Sequence, residues 1–454
     1  MKNWDFKYKW SIFLLLLIVS CSDSKDNSFL ESDSNVISIA TDENLMSFDF
    51  YSNNVFSKFI KDLICEPIFY LNPTSNKVTS SVIASYKWIH ESEIELIIQP
   101  AVYFHNNPKY KLYKERNITP EDIIHSILLQ KKNSIYPEVR EFLETFDKLT
   151  PKDKSSLIIS LNKSVDPHDF VLEFASIEIP VISSDVEQVN SLNDVVGNGL
   201  YSLDVVSENQ IRLKLFKRYA KIKSFSFENK ELPRGYIINL GVSNTNQLKF
   251  FKEESVDGVL TSSVSLFSKS VDQMKHTIGS LIIRKEDELH IAAFNFEQSL
   301  TANYSNIEYI KKLIDPTEYN QVYFNNQMNA FYTIYDVDDY QANTVSTLTI
   351  GFDCDSKFKN YVLTKFYDKD IHIQQDGTPD LIIYKLMTPT NNIQIINYYI
   401  YKMYISKGLI NDEKVAREAS VKLFQPVKYL LFNRQVKFRN DAFETRNDFS
   451  VLFK

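Results

Sequence analysis

Seven histidines, three cysteines and a few adjacent acids are the residues with which this chain could do chemistry, and their spacing asks for little of it. His90, His105, His125, His168, His276, His290 and His372 never fall three or four apart, so no helix face offers a histidine pair to a metal. There is no Gly-x-Ser-x-Gly elbow, no phosphate-cradling glycine loop and no Cys-x-x-Cys pair. Gly197-Asn198-Gly199 falls far short of a dinucleotide fingerprint. Acid pairs such as Glu121-Asp122 and Asp338-Asp339 are common on solvated faces. The expectation is a binder rather than an enzyme, with no catalytic residue, no metal ligand set and no cofactor.

One cysteine is instead placed for chemistry done to it. Residues 11–21 read Ser-Ile-Phe-Leu-Leu-Leu-Leu-Ile-Val-Ser-Cys and follow Lys2, Lys7 and Lys9. A basic start, about ten apolar residues and a small residue before the cut are the marks of a secretory signal. The run is too short to span a bilayer, which takes roughly 20 apolar residues. Ser20-Cys21 resembles a bacterial lipobox, which implies removal of residues 1–20 and a lipid on Cys21. Residues 22–35 are polar and suit a flexible tether reaching on the order of 20 Å. Two or three acyl chains would hold it firmly. The expected location is the cell envelope, lipid-anchored to the outer face of the cytoplasmic membrane or to the outer membrane.

Removing Lys2, Lys7, Lys9 and Asp5 with the signal leaves 48 basic and 57 acidic residues, net −9. That acidic balance argues against a nucleic-acid partner. The remaining length suits two or three lobes with ample core. Cys65 and Cys354 lie in apolar or strand-like stretches and read as buried thiols rather than a disulfide.

The elements that must position any site alternate between strand and helix. Strands are expected at 36–40, 95–98, 157–161, 211–215 and 348–352, and helices at 307–314 and 393–405. Thr119-Pro120-Glu121-Asp122 opens a helix with Ile123, Ile124, Ile127 and Leu128 along one face. Its threonine cap, first-position proline and first-turn acids each relieve the orphan amides or the positive dipole end. Gly197 and Gly199 are expected to supply positive φ in a tight turn. Trp88 and Tyr201 read as core aromatics, and Glu66-Pro67 as a turn with a satisfied carboxylate.

A series of short segments, in order, resembles the extracellular solute-binding proteins of family 5, the capture subunits of peptide- and nickel-type ABC importers. Cys65-Glu-Pro-Ile68 resembles the family's Tyr-Glu-Pro-Leu, and the segment from Val82 to Trp88 its Leu-Ala-Glu-Ser-Trp. Val102-Tyr-Phe-His105 is similar to Val-Lys-Phe-His, and the segment from Ile118 to Ser126 to Leu-Thr-Ala-Glu-Asp-Val-x-Tyr-Ser. Val196-Gly-Asn-Gly-Leu-Tyr201 resembles Gly-Thr-Gly-Pro-Tyr, and Ser255-Val-Asp-Gly258 resembles Glu-Val-Asp-Gly. Phe48-Asp49, Phe294-Asn295 and Leu313-Ile-Asp315 fall where the family has Leu-Asp-Pro, Phe-Asn and Ala-Ile-Asp. The match covers residues 36–320 and is looser beyond 348.

The resemblance implies an α/β, two-lobed periplasmic-binding-protein (Venus-flytrap) fold with an extra subdomain in the first lobe. Lobe 1 would span 36–290, with the subdomain near 60–165. Lobe 2, shortened, would span 291–425, and 426–454 would return to lobe 1. It further implies a monomer that captures a peptide or related small solute in the cleft between lobes and delivers it to an ABC permease. The alternative is a surface lipoprotein of the same scaffold that senses or interacts without import. Phe48, Asp49, Asn295, Tyr384, Thr390 and Asn391 are the expected cleft residues. One departure matters: the family's lobe-2 acid for a ligand ammonium has no counterpart in Met387-Thr-Pro-Thr-Asn-Asn392. A buried ammonium without a carboxylate costs several kcal/mol, so either another acid serves or the ligand has no free amine.

Overall fold

The computed structural model describes residues 35–71, 77–110, 115–219, 232–261, 278–285, 288–295, 328–330, 347–353, 356–369, 371–374, 379–387, 420–433, 437–438 and 452–453, with residues 298, 306, 309, 310, 313, 314 and 400. The chain opens with β1 (Val36–Thr41), α1 (Val55–Ile64), β2 (Tyr70–Leu71) and β3 (Val78–Thr79). Next come β4 (Ile83–His90), β5 (Glu93–Ile98), α2 (Pro120–Asn133), α3 (Pro137–Glu144), β6 (Phe146–Pro151), β7 (Ser156–Leu161) and α4 (Pro167–Ile177). After these run β8 (Tyr201–Ser207), β9 (Gln210–Leu215), β10 (Gly235–Asn239), α5 (Asn244–Lys252) and β11 (Gly258–Thr261). The remainder holds β12 (Ile278–Lys285), β13 (Glu288–Phe294), β14 (Met328–Ala330), β15 (Thr347–Asp353), α6 (Ser356–Tyr367), β16 (His372–Gln374), β17 (Leu381–Met387) and β18 (Ser420–Asn433).

Two hydrophobic cores divide these elements. The first draws on residues from Ile37 to Leu260 together with Phe432. The second gathers Ala292, Phe294, Ile310, Ile314, Leu348, Ile350, four residues of α6, Ile371, Ile373, Leu381 and Ile383. One mixed sheet runs through both, in the order β16-β15-β17-β13-β18-β11-β1-β10-β9-β8, with β12 and β14 also pairing with β18. The crossing is made by two neighbouring antiparallel runs. Residues 427–433 of β18 pair with β12, and residues 420–424 pair with β13, which follows β12 directly in sequence. Pro426 sits between the two halves, where a residue without an amide hydrogen removes one ladder bond. A second sheet, β4-β5-β7-β6, stands apart from the first. It is closed by a cluster of edge-on and tilted rings from Phe142, Phe146, Phe170 and Phe174, with Trp88 edge-on to Phe170.

Strands form at each of the five expected places. Residues 306, 309, 310 and 313 are helical, and Ile310 and Ile314 lie in the second core. The helix expected at 393–405 falls, Ile400 aside, outside the described residues. Helix α2 starts as its sequence dictates, with Pro120 in the first turn and a capping box between Thr119 and Asp122. Its buried face carries Ile123, Ser126, Ile127 and Gln130, whereas Leu128 is 51% exposed, so the apolar stripe is narrower than the sequence implies.

The Gly197-Asn198-Gly199 turn corrects a second expectation. Neither glycine has positive φ; among the described glycines only Gly241 does. What excludes a side chain is the end of α1: a Cβ on Gly197 would lie 2.0 Å from the Ile64 carbonyl oxygen, and one on Gly199 2.5 Å from the Ile64 carbonyl carbon. The turn plugs that helix end. The Gly199 amide donates to the Ile64 carbonyl, an orphan acceptor at the C-terminus, and the Asn198 Oδ1 accepts from the Glu66 amide.

His105 completes the plug from the other side. Its backbone amide donates to the Gly197 carbonyl, and its Nε2 lies 2.9 Å from the Gly199 oxygen, with the ring edge-on to Phe216. Burial pushes the imidazole down to about 4. Between that value and the ordinary 6.5 the unfolded chain holds a proton the folded one does not, so stability falls as pH drops through this window. The expected loss is about 3 kcal/mol from pH 7 to pH 4. Urea denaturation at several pH values should show this slope in wild type and not in His105→Gln.

Candidate ligand-binding site

The loop that leads from β1 into α1 is built as a fixed wall. The Asp49 amide donates to Ser57 Oγ, its Oδ1 accepts from the Tyr51 amide, and Asn54 caps α1 by accepting from the Ser57 amide. Lys61, whose ammonium points back along this loop, donates to the carbonyls of Phe50 (3.1 Å) and Ser52 (2.6 Å) and to Asn53 Oδ1 (2.8 Å). The Asn53 amide in turn donates to the hydroxyl of fully buried Tyr136, just before α3. Three oxygens replace water around a buried ammonium, and the loop they belong to is held in one conformation.

Burial and the nearby Lys58 charge push Lys61 down to about 8. Between about 8 and 10.5 the unfolded chain is protonated and the folded one is not, so stability rises with pH across that window. The contribution is about 3 kcal/mol. Lys61→Met should abolish the rise when unfolding free energy is measured from pH 7.5 to 10.5.

Beside this wall lies a shallow, open depression lined by Asn53, Lys58, Lys61, Asp62, Cys65, Pro67, Glu178 and Pro180. Lys58 bridges its acids, lying 3.4 Å from Asp62 Oδ1 and in direct contact with Glu178 Oε2. Glu178 and Lys58 are partly exposed, whereas Asp62 is buried. Below the depression Glu66 is buried, its carboxylate accepting from the hydroxyls of Ser81 and Tyr219. Cys65 is a buried thiol in the same wall, and Cys354 lies outside the described residues.

One expected cleft residue lies in the second core's sheet. Tyr384 on β17 pairs in register with Asp353 at the end of β15. Its phenol is pushed up by burial and by the charges of Glu138 and Asp353. Glu138 belongs to α3, two residues after Tyr136, so the phenol feels a charge from an element of the first core. Farther along β17, Met387 packs against the first core.

The sequence-named residues divide between these surroundings. Phe48 is half-buried against the first core, and Asp49 is occupied in its turn. Asn295 is buried at the end of β13, its amide donating to the Asp380 carbonyl and its side chain to the Pro379 carbonyl. Tyr384 is half-buried on β17 and feels the charge of Glu138, and Thr390, Asn391 and Cys21 lie outside the described residues. Tyr201 is fully buried edge-on to Tyr236. Sequence reading missed Lys58, Asp62 and Glu178. The first two share the i,i+4 spacing of a helical ion pair, a visible signal, whereas Glu178 is brought in from the end of α4 by tertiary structure alone.

Among the described residues no group of three His, Cys, Asp or Glu is arranged to hold a metal ion, and no helix is long and apolar enough to cross a membrane. No protein-family profile matches the chain, and no curated protein matches it in sequence. Solved structures do match its shape. The periplasmic binding protein DppA of Helicobacter pylori, in complex with the peptide STSA, aligns over 92% of this chain and 98% of its own, at 11% identity and TM-score 0.58. NikA of Staphylococcus aureus, holding Ni(L-His)2, aligns over 92% and 100%, at 13% identity and TM-score 0.56. HbpA2 of Haemophilus parasuis aligns over 92% and 100%, at 11% identity and TM-score 0.63. At these identities the likeness establishes the fold, which is that of the two-lobed periplasmic binding proteins of peptide and nickel type.

Proposed function

We propose, from this two-lobed periplasmic-binding-protein fold, that the chain is the substrate-binding component of an ABC importer and not an enzyme. The observation that carries the reading is the fold itself, in which the first core holds a rigid polar loop and an ion-paired depression and Tyr384 of the second core's sheet comes under the charge of Glu138 on α3. Such a fold binds by closing on a small solute, burying it between two preformed surfaces. The neighbours crystallised with a peptide and with a nickel–histidine complex support a peptide or a related small solute as the cargo. Lobe 1 would take residues 36–290 and 426–454, with the subdomain near 60–165, and lobe 2 residues 291–425. Pro426 at the join of the paired halves of β18 supports that division.

The anchor belongs to the same reading. Cys21 would carry the lipid, placing a monomeric body a short tether above the membrane that houses the permease. The second reading, a surface lipoprotein that senses or interacts without import, is favoured by the missing acid in 387–392. Thermal denaturation with saturating solute pools separates them. A captured solute at about 100 times its dissociation constant should add ~2.7 kcal/mol, and no stabilisation by peptides, amino acids or metal–amino-acid complexes would favour the second reading.

A further inference from the structure

In a chain of net charge −7, one end of the large sheet is basic. Residues 212–219 and 232–234 carry Arg212, Lys214, Lys217, Arg218 and Arg234 and no acid. All five are exposed. Lys214 on β9 pairs in register with Gly235 at the start of β10, and Arg234 precedes that glycine. Arg218 is held in place, its guanidinium stacked on the Tyr103 ring at 3.9 Å and lying 3.6 Å from Glu115. Lys214 meets Asp204 at 3.0 Å. Both ion pairs are partly exposed, so they are weak and open to exchange for another anion. At the end of α5, Lys249 and Lys252 are balanced by Glu253 and Glu254, which leaves the excess on β9 and the start of β10.

The tether joins the body at this same end. The Arg234 amide donates to the Asn35 carbonyl (2.7 Å), the Leu215 amide donates to the Arg234 carbonyl (2.8 Å), and Val36 pairs with Gly235. Asn35, the last residue before β1, is thus bonded directly into the basic strand ends. A tether of fourteen residues from Cys21 reaches on the order of 20 Å, so it keeps these cations at high effective concentration beside the surface that holds the lipid. We infer that this basic sheet end docks on the anionic headgroups of that membrane and fixes how the body stands on it. The inference rests on the lipid-anchor reading and goes beyond it, since an anchor alone leaves the body free to tumble. Arg218 and Arg234 offer planar forks to lipid phosphates, while Lys214 and Lys217 act as point charges. The attraction of such a cluster fades within a Debye length, about 8 Å at physiological salt, so it works only when the tether brings the two surfaces together.

The test is lysine acylation, read by mass spectrometry, on the full-length chain in vesicles of phosphatidylcholine alone or with one third phosphatidylglycerol. Lys214 and Lys217 should react at least about threefold more slowly with phosphatidylglycerol present, and salt should remove the difference. Lys369, which follows α6 at the other end of the sheet, should not change. The double variant Arg218→Gln, Arg234→Gln should lose most of the protection. Undiminished protection in that variant would mean that the tether alone brings the lysines near the surface, and would overturn docking. Equal reactivity in both vesicle types overturns it as well. Protection by native membranes but not by pure lipid overturns the lipid assignment in favour of an acidic protein partner. The intact mass shows separately whether Cys21 carries a lipid. If it does not, the anchor reading falls, and protection by added phosphatidylglycerol vesicles still decides for or against the basic surface.

Discussion

Gly197→Ala is expected to destabilise the protein by about 4 kcal/mol or more, the range reserved for changes that force backbone to move. The added methyl would sit 2.0 Å from the Ile64 carbonyl oxygen and 2.8 Å from the Cys65 sulfur. Neither neighbour is the free end of a flexible side chain. Relief requires pulling the turn off the end of α1, which breaks the bonds of Gly199 to Ile64, His105 to Gly197 and Asn198 to Glu66 together. Gly241→Ala is the control, since it has positive φ (65°) with open space around its Cβ, and should cost only about 1 kcal/mol. Chemical denaturation of both variants checks the contrast. A small effect at Gly197 would mean that the close approach is not what the glycine is for.

Arg116→Ala should cost about 3–5 kcal/mol, because it strands a buried carboxylate. The guanidinium meets Asp122 through two parallel bonds of 2.8 Å, and reaches Asp185 and Ser183 as well, stacked over Phe104 at 4.9 Å. Asp122 has no exposed side chain and also accepts from the amides of Ser184 and Thr119; the Arg116 guanidinium first, and these amides with it, hold its carboxyl below the usual range despite burial. The pair thus ties α2 to the 183–185 loop. Partial exposure of Arg116 places the expected cost toward the lower end. The double variant Arg116→Met, Asp122→Leu should recover most of the loss, since removing both charges leaves nothing buried and unpaired. Failure of the double variant to recover would show that the backbone bonds to Asp122, and not its charge pairing, dominate.

What the sequence made legible was local or short-range. The start of α2 could be read because a cap, a proline and two acids act within one turn, and the strands of the first core because their periodicity is two. The second role of Asp122 could not, since its partners Arg116 and Ser184 are brought to it by packing rather than by pattern. Gly197 illustrates the same limit. A glycine announces that a side chain is excluded, but whether by dihedral or by a neighbour is decided by a helix end more than a hundred residues away in sequence. In the candidate site, the strand that carries Tyr384 in register with Asp353 is a local pattern, while the Lys58–Glu178 contact joins two helices far apart in the chain and left no periodic trace. Asp49 and Asn295 stand in motifs whose visible work is to fix a turn and a crossover, so a motif's likeness marks the scaffold before it marks the pocket.

The most direct test of solute capture is native mass spectrometry of the purified full-length chain, compared with the same chain denatured. Closure of two lobes over a ligand slows its release, so a captured solute should survive purification. The expected result is a discrete extra mass in the native spectrum, lost on denaturation and in the range of an amino acid to a short peptide. A native mass equal to that of the denatured chain, together with no thermal stabilisation by any solute pool, would contradict the account and leave a two-lobed scaffold used for something other than capture.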